Sequence, residues 1–553
     1  MTDRFVATTG NDTTGDGTIG TPWATVTHAS QNCAAGDTVY LRAGTYTEIK
    51  NIREAIGGVS GTEALPITLM PYQDEEVIIT TWGLTVHVDW WTIKGLIFDF
   101  PNRSGMAIGE VDSFSCEGVR VHGCTFRNLY NVGIAVRDCT NVIISHNLFD
   151  NIRERAVGFD SFGLQLLGDA KDLFIVHNEF VDIGGDPIHA LDGATRSNVN
   201  VHFSHNICRI SRPYVYRNVL GEVIPVAPTY KQVSAATDIV FDGATAITSD
   251  GAATGTDMTQ FQVGDTINVT GTTSNDDKFT VVAVVDDSEL TVLETTTSES
   301  PASCTLTTFD ARYCGENGAD IKQGPGPVYV EHNRILFFRN TLTNGDSTGS
   351  NGAGIAVHQD SDNVYVRGNL IQDCTQGITV ASITPAGEDR HIEVMNNLMT
   401  ISEDFLAQPA TNEKALVIGD FNRGTFCNNT VIGGSDTEIL SAYNTTGPHT
   451  IKNNVFMNGD ISSSITDGNF VQSNAWVNIV SVPAVLQSST DLVDVDLKLD
   501  ETYRPKQGSP CIDAGSPVDT VHDLYGRVST TNGNTLGAVW PDPKASETGK
   551  VTG

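Results

Sequence analysis

Four ionisable side chains occupy matching places in short strand-like segments that lie far apart in the chain. Seven segments open with a glycine or another small residue and then alternate: GIAVRD (133–138), GLQLLG (163–168), PIHALD (187–192), GADIKQ (318–323), GIAVHQ (354–359), GITVAS (377–382) and ALVIGD (415–420). Side chains point to opposite faces in turn along a strand. Aligned by their first residue, the segments send Ile134/Val136, Leu164/Leu166, Ile188/Ala190, Ala319/Ile321, Ile355/Val357 and Ile378/Val380 to an apolar inner face. The outer face then carries Ala135/Arg137, Gln165/Leu167, His189/Leu191, Asp320/Lys322, Ala356/His358 and Thr379/Ala381. Stacked strands lie about 4.8 Å apart, and residues two apart in one strand about 6.6–7 Å. His189, Asp320, Lys322 and His358 therefore converge on one patch, with Gln165 extending it and Asp192, Glu316 and Asn317 reaching it from strand ends. Such a set can move protons through lysine and histidine, cleave a glycosidic bond through a carboxyl pair, or hold a cation through carboxylate oxygens.

The elements that must position these residues are announced by asparagines. Strand-like lines end in Asn again and again: VIISHN (142–147), LFIVHN (173–178), HFSHN (202–206), VYVEHN (328–333), VYVRGN (364–369), IEVMNN (392–397), GTFCNN (424–429) and TIKNN (450–454). Successive end-asparagines are 31 and 28 residues apart and, after one larger gap, 36, 28, 32 and 25. A repeat of this size cannot bury its own apolar face and must stack on its neighbours. The expected fold is all-β: a parallel β-helix, one coil per repeat. Asn at the turn suits left-handed backbone and side-chain bonding along a ladder. Phe126, Phe149, Phe180 and Phe456 read as stacked core aromatics.

Residues 1–50 read as an N-terminal cap and first rung, with a short helix amphipathic through Trp23, Val26 and Ala29. The coil is expected over 51–221 and 309–480, and C-terminal rungs and a cap over 481–553. Within 461–500 the strand register is not set by the sequence. Between the two coil halves, 222–308 is rich in Thr, Val and Asp and reads as short alternating strands. This is the pattern of a small antiparallel barrel or sandwich, inserted as a separate domain.

The chain has 553 residues, with 67 Asp and Glu against 33 Lys and Arg, for a net charge of -34. That charge argues against a nucleic-acid partner, which needs a basic footprint. No apolar run is long enough for a membrane span, and MTDRFVATTG lacks a signal-peptide pattern. The ten cysteines form no CxxC pair and read as buried thiols.

The opening GNDTTGDGTIGTPWATVTHAS with AGDTVYLRAGTYTE, and the close YRPKQGSPCIDAGSPVD, resemble the ends of pectate-lyase-like β-helix proteins, both secreted and viral. The VGDTINVTGTTSNDDKFTVVAVVDDSELTV portion resembles small modules of phage structural proteins. The resemblance implies a right-handed coil, a polysaccharide partner, an extracellular or virion-associated location, and a monomer or a homotrimer. ENGADIK resembles β-helix lyase strands where acidic residues and a lysine meet at the cleft, which marks Glu316, Asp320 and Lys322.

Three functions remain in play. The first is β-elimination on a uronate polysaccharide. Lys322 is its base if burial depresses the lysine pKa, and His358 or His189 is the substitute base or the acid. Arg217, Arg312 or a Ca²⁺ on Asp192, Glu316 and Asp320 would neutralise the sugar carboxylate. Tyr214, Tyr216 and Tyr313 are candidate sugar-stacking residues, and Gln165 and Asn317 candidate hydrogen-bonding ones. The second is glycoside hydrolysis by Asp320 with Asp192 or Glu316. The third is a viral or surface protein that binds glycan without cutting it. A Zn²⁺ site from His189, His358 and Asp320 is open on geometry. No serine sits on an elbow beside either histidine, and GENG and GSNG lack the phosphate-loop pattern.

Overall fold

The computed structural model describes residues 1–516 and 535–537, apart from the segments 48–49, 81–82, 100–103, 110–114, 153–160, 192–198, 211–215, 218–222, 225–231, 252–255, 309–314, 323–325, 339–351, 384–388, 403–412, 435–436, 444–448 and 464–469 and residues 237, 250, 277, 302, 360 and 421. Successive coils pair in parallel and form three columns of strands. One column carries the Asn-ended lines. It runs from Asp3–Val6 through Thr38–Leu41, Ile67–Pro71, Trp91–Lys94 and Arg120–His122 into the second halves of β1 (Val132–Ser145) and β2 (Phe162–Val176). Val199–Ser204, Val328–Glu331, Val364–Arg367, Asp389–Met395, Asn422–Cys427, Thr450–Lys452 and Phe470–Gln472 continue it.

A second column holds the small-residue-first strands. The first halves of β1 and β2 are followed by β3 (Asp186–Leu191), β4 (Asn317–Lys322), β5 (Ala353–Gln359), β6 (Gln376–Ile383) and β7 (Lys414–Gly419). Its register is the one read from the sequence: Ile134, Leu164, Ile188, Ala319, Ile355, Ile378 and Leu416 pair in turn. These inner residues are buried to 1% exposure or less, as alternation requires. The third column passes through Thr125–Arg127, Leu148–Ile152, Glu179–Ile183, Ile207–Arg209, Arg334–Leu336 and Leu370–Gln372.

Phe98, Phe126, Phe149 and Phe180 stack face to face inside this third column, with centroids 4.7, 4.9 and 4.5 Å apart. Phe456 stacks on Trp476 at 4.7 Å. The rings explain the small first residues of the second column. A Cβ at Gly133 would lie 2.6 Å from the Phe149 ring and 2.5 Å from the Gly163 carbonyl oxygen. Glycine there is a packing requirement.

Asn147, Asn178, Asn206, Asn333, Asn369, Asn397, Asn429, Asn454 and Asn474 form one buried ladder. Each Oδ1 beyond the first accepts from the backbone N–H and the Nδ2 of the Asn one coil earlier, at 2.9–3.1 Å. The bond from Asn206 to Asn333 is like the rest, so the coil resumes without a break in register. One expectation needs correcting. The left-handed backbone belongs to the residue before the ladder Asn, such as His146, His177 or Asn396, while the ladder Asn itself is buried and not left-handed.

Thr25 caps helix α1 (Val26–Asn32), its hydroxyl accepting from the His28 N–H at 3.0 Å. Trp23, Val26 and Ala29 enter the core, as their spacing predicts. In the stretch 461–500 the coil continues through Phe470–Gln472, Ala475–Ile479 and Leu492–Val493. The nine described cysteines are buried thiols. Among the described residues, no helix is long and apolar enough to cross a membrane.

Residues within 211–313 belong to a second unit with its own fold. Seven antiparallel strands order as Gln232–Ala236, Cys304–Thr308, Thr266–Thr270, Lys278–Asp286, Glu289–Val292, Ala246–Thr248 and Val240–Phe241. Their core contains Phe241, Ile247, Phe261, Ile267, Phe279 and Leu306. A two-residue ladder pairs Tyr216 with Ile224 and Arg217 with Val223.

Candidate active site

Parallel pairing of β3, β4 and β5 sets His189 beside Asp320, and Asp320 beside Ala356. Lys322 and His358 follow two residues further along their strands, on the same face. Asp320 is the hub. Its Oδ1 accepts from His358 Nε2 at 2.6 Å and its Oδ2 from Lys322 Nζ at 2.7 Å, while His189 Nε2 lies 3.8 Å from Oδ2. Lys322 Nζ is also 3.5 Å from His189 Nε2, and Gln165 Nε2 is 3.5 Å from His189 Nδ1.

The patch is less open than alternation alone suggests. Side-chain exposure rises from 2% at Asp320 and 5% at His189 to 19% at Lys322 and 27% at His358. The partners of Asp320 close over it, and the Phe162 ring lies flat on His189 with centroids 4.3 Å apart. Lys322 and His358 are the two members that a ligand meets first.

Electrostatics sorts the roles. Burial pushes the Asp320 carboxyl up, but the His358 hydrogen bond and the charges of His358, Lys322 and His189 outweigh it and hold the group down at about 2. Burial presses the His189 imidazole down to about 4, against the pull of Asp320. Burial also works against the Lys322 ammonium, yet contact with Asp320, helped by Asp186 and Glu316, raises its pKa above the usual lysine value. The expectation of a depressed Lys322 is therefore reversed, because its ion pair outweighs desolvation. Lys322 stays an ammonium. With Asp320 ionised, the Nε2 contact selects the His358 tautomer that donates from Nε2, and that tautomer has its lone pair on Nδ1.

Asp186 is the residue that strand alignment passes over. It precedes Pro187, and its register partner on the preceding coil is Phe162. Its Oδ1 accepts from the backbone N–H of Asn317 at 3.0 Å and from Asn317 Nδ2 at 3.1 Å. Asn317 Oδ1 accepts from the Ala353 N–H at 3.2 Å. Asn317, expected to touch substrate, is thus buried and holds Asp186 in place. The signal lay one residue upstream of the aligned segment, where Asp186 and Asn317 each stand two before a paired inner residue.

Oxygen and nitrogen atoms of Asp186, His189 and Asp320 lie within 4.8 Å of one another, a spacing that suits a divalent cation. This replaces the expected set of Asp192, Glu316 and Asp320. Glu316 is not part of the group, and Asp192 lies outside the described residues. The set fits in donor type and spacing, with one imidazole among the carboxylates. His358 is not in it, so the His189, His358 and Asp320 trio is not the gathered one. Tyr214, Arg312 and Tyr313 lie outside the described residues, and Tyr216 and Arg217 belong to the second unit.

A family model described as "Pel9A-like, right handed beta helix region" matches residues 4–176. Over that stretch the chain is similar to a right-handed β-helix region, in keeping with the parallel coil of the described residues. A second model, described as "Periplasmic copper-binding protein (NosD)", matches residues 249–485. Over 77 residues the chain is 40% identical to pectate lyase PEL9 of Emericella nidulans, covering 14% of this chain and 18% of that protein. Over 76 residues it is 40% identical to the uncharacterised protein YwoF of Bacillus subtilis, covering 14% of this chain and 15% of that one. The matched stretches thus span less than a fifth of either relative. Among solved structures, pectate lyase Pel9A aligns over 98% of this chain and 97% of its own at 13% identity and a TM-score of 0.39. The PL6 family alginate lyase AlyGC aligns over 98% and 60% at 12% identity and a TM-score of 0.47.

Proposed function

We propose that the protein is a polysaccharide lyase that cleaves a uronate-containing glycan by β-elimination. The observation that carries this reading is the pairing of a carboxylate-fixed imidazole with a permanent ammonium. His358 is held by Asp320 with its Nδ1 lone pair available, and Lys322 stays charged beside it. His358 Nδ1 takes the proton on the carbon next to the uronate carboxyl. The electron pair left behind forms the new carbon–carbon double bond as the bond to the glycosidic oxygen breaks, and that oxygen leaves with a proton from solvent. The Lys322 ammonium lies against the sugar carboxylate and lowers the cost of the developing negative charge. Asp320 orients both groups, and Asp186 and His189 complete the cation-holding set.

A divalent cation on Asp186, His189 and Asp320 would add positive charge against the same carboxylate. Ca²⁺ prefers oxygen ligands, whereas imidazole suits Mn²⁺ or Zn²⁺. The metal series in the test below therefore includes all three.

Hydrolysis by a carboxyl pair is less well supported. Asp320 is held ionised at about 2 and cannot be a general acid near neutral pH. The deciding experiment is a panel of acidic and neutral glycans, with and without each metal, read by ultraviolet absorbance of an unsaturated uronate and by reducing ends. Absorbance together with new ends is the expected result. New ends without absorbance would establish hydrolysis, and binding with neither would establish an adhesin.

A further inference from the structure

A column of imidazoles lies outside the proposed active site. His122, His146, His177, His205 and His332 follow one another along the coil, with ring centroids 5.0, 5.1, 5.0 and 5.2 Å apart. His146, His177 and His205 are exposed, and His122 and His332 partly so. Four of them sit in left-handed backbone: His146 at φ 57°, His177 at 57°, His205 at 58° and His332 at 56°.

The turn itself does not call for histidine. The same place on later coils is taken by Gly368, Asn396, Asn428 and Asn453, at φ 62°, 57°, 57° and 57°. Glycine and asparagine are the routine occupants of this conformation. Four successive coils nevertheless carry a larger ring there. Each is followed by a buried ladder Asn, Asn147, Asn178, Asn206 or Asn333, so the rings stand on a rigid support.

Their packing differs from simple stacking. Phe174, His202 and Tyr329, on the adjoining strand face, lie nearly flat on one another, with planes 8° and 13° apart. The imidazole column is tilted by 54°, 32°, 37° and 34° between neighbours. His122 Nδ1 is 3.1 Å from Ser145 Oγ, and no hydrogen bond to the other four rings is found among the described residues.

We propose that this column is a binding strip for divalent transition-metal ions such as Zn²⁺ or Ni²⁺, each ion shared by imidazoles of adjacent coils. Rings about 5 Å apart can turn one nitrogen each toward an ion at about 2.0–2.1 Å. Imidazole is a preferred ligand for these ions and a poor one for Ca²⁺ or Mg²⁺. His146 with His177, and His205 with His332, make two pairs, and His122 borders the first. The strip is separate from Asp186, His189 and Asp320, and its failure would leave the lyase reading untouched.

The test is calorimetric titration of the full chain with Zn²⁺ alone, at mildly alkaline pH. A variant carrying H146N, H177N, H205N and H332N should lose about two ions per chain, or bind them at least about tenfold more weakly. Asparagine already occupies the equivalent turn on three later coils, so circular dichroism should be unchanged. Asp320→Asn, which dismantles the buried group, should leave the strip's ions in place. Zn²⁺ binding that is unchanged in the fourfold variant, or abolished entirely by Asp320→Asn, would overturn the proposal. If the fourfold variant does not fold, the wild-type chain decides: Zn²⁺ should shield His177 and His205 from diethylpyrocarbonate, and undiminished labelling of both would overturn it.

Discussion

With Oδ1 on His358 and Oδ2 on Lys322, Asp320 sets both the tautomer of one partner and the charge of the other. On the proposed mechanism His358→Ala should lower kcat on a uronate polymer by about 10²–10⁴-fold, the usual worth of a general base. Lys322→Met should also lower turnover, with the loss confined to acidic glycans. Steady-state kinetics on the panel check both, and full activity in His358→Ala would remove it as the base. The same residues fix an acid limit to stability. The ordinary histidine value is 6.5 and His189 is held near about 4, so between them the unfolded chain binds a proton that the folded one does not. Stability therefore falls as pH drops through that window, by up to about 3 kcal/mol. Asp320, lowered from 3.8 to about 2, adds a further loss below pH 3.8. Thermal melts with chelator present should show a shallower loss from pH 6.5 to 4 in His189→Gln than in the wild type.

At the scale of elements, the Asn ladder does what a turn residue alone does not. Asn369 gives Nδ2 both to the Val330 carbonyl at 2.8 Å and to Asn397 Oδ1 at 2.9 Å, and its own Oδ1 receives Asn333. Asn369→Ala strands buried donors and acceptors on two neighbouring coils and should cost about 2–4 kcal/mol. A urea midpoint shift with an unchanged slope would measure it. A cost below about 0.5 kcal/mol would mean that water replaces the ladder. The outward rings Phe174, His202, Tyr329 and Tyr365 use their faces on one another, at 4.9, 4.5 and 5.1 Å. They present edges outward and make a poor platform for sugar stacking.

For the whole molecule, the net charge of -34 opposes approach of a polyanion until salt screens it. On a uronate polymer KM should therefore fall as salt rises from very low to about 0.15 M, and on a neutral glycan it should not. A KM that rises with salt would show that local attraction at Lys322 dominates the far field. The sequence by itself determined the coil, its rung register and the inserted antiparallel sheet. Period-two alternation and recurring Asn and Gly are local signals, repeated often enough to outvote any single ambiguous coil. It also brought His189, Asp320, Lys322 and His358 together, because a parallel register turns a sequence alignment into adjacency. Tertiary structure alone decided the rest. Whether burial or an ion pair sets the Lys322 pKa depends on a 2.7 Å contact that no spacing reveals. Asp186 stands with His189 and Asp320, its carboxylate fixed by Asn317, 131 residues away. Cation binding, tautomer and pKa depend on distances of a few ångströms, whereas a repeating sequence specifies only which coil a residue stands on.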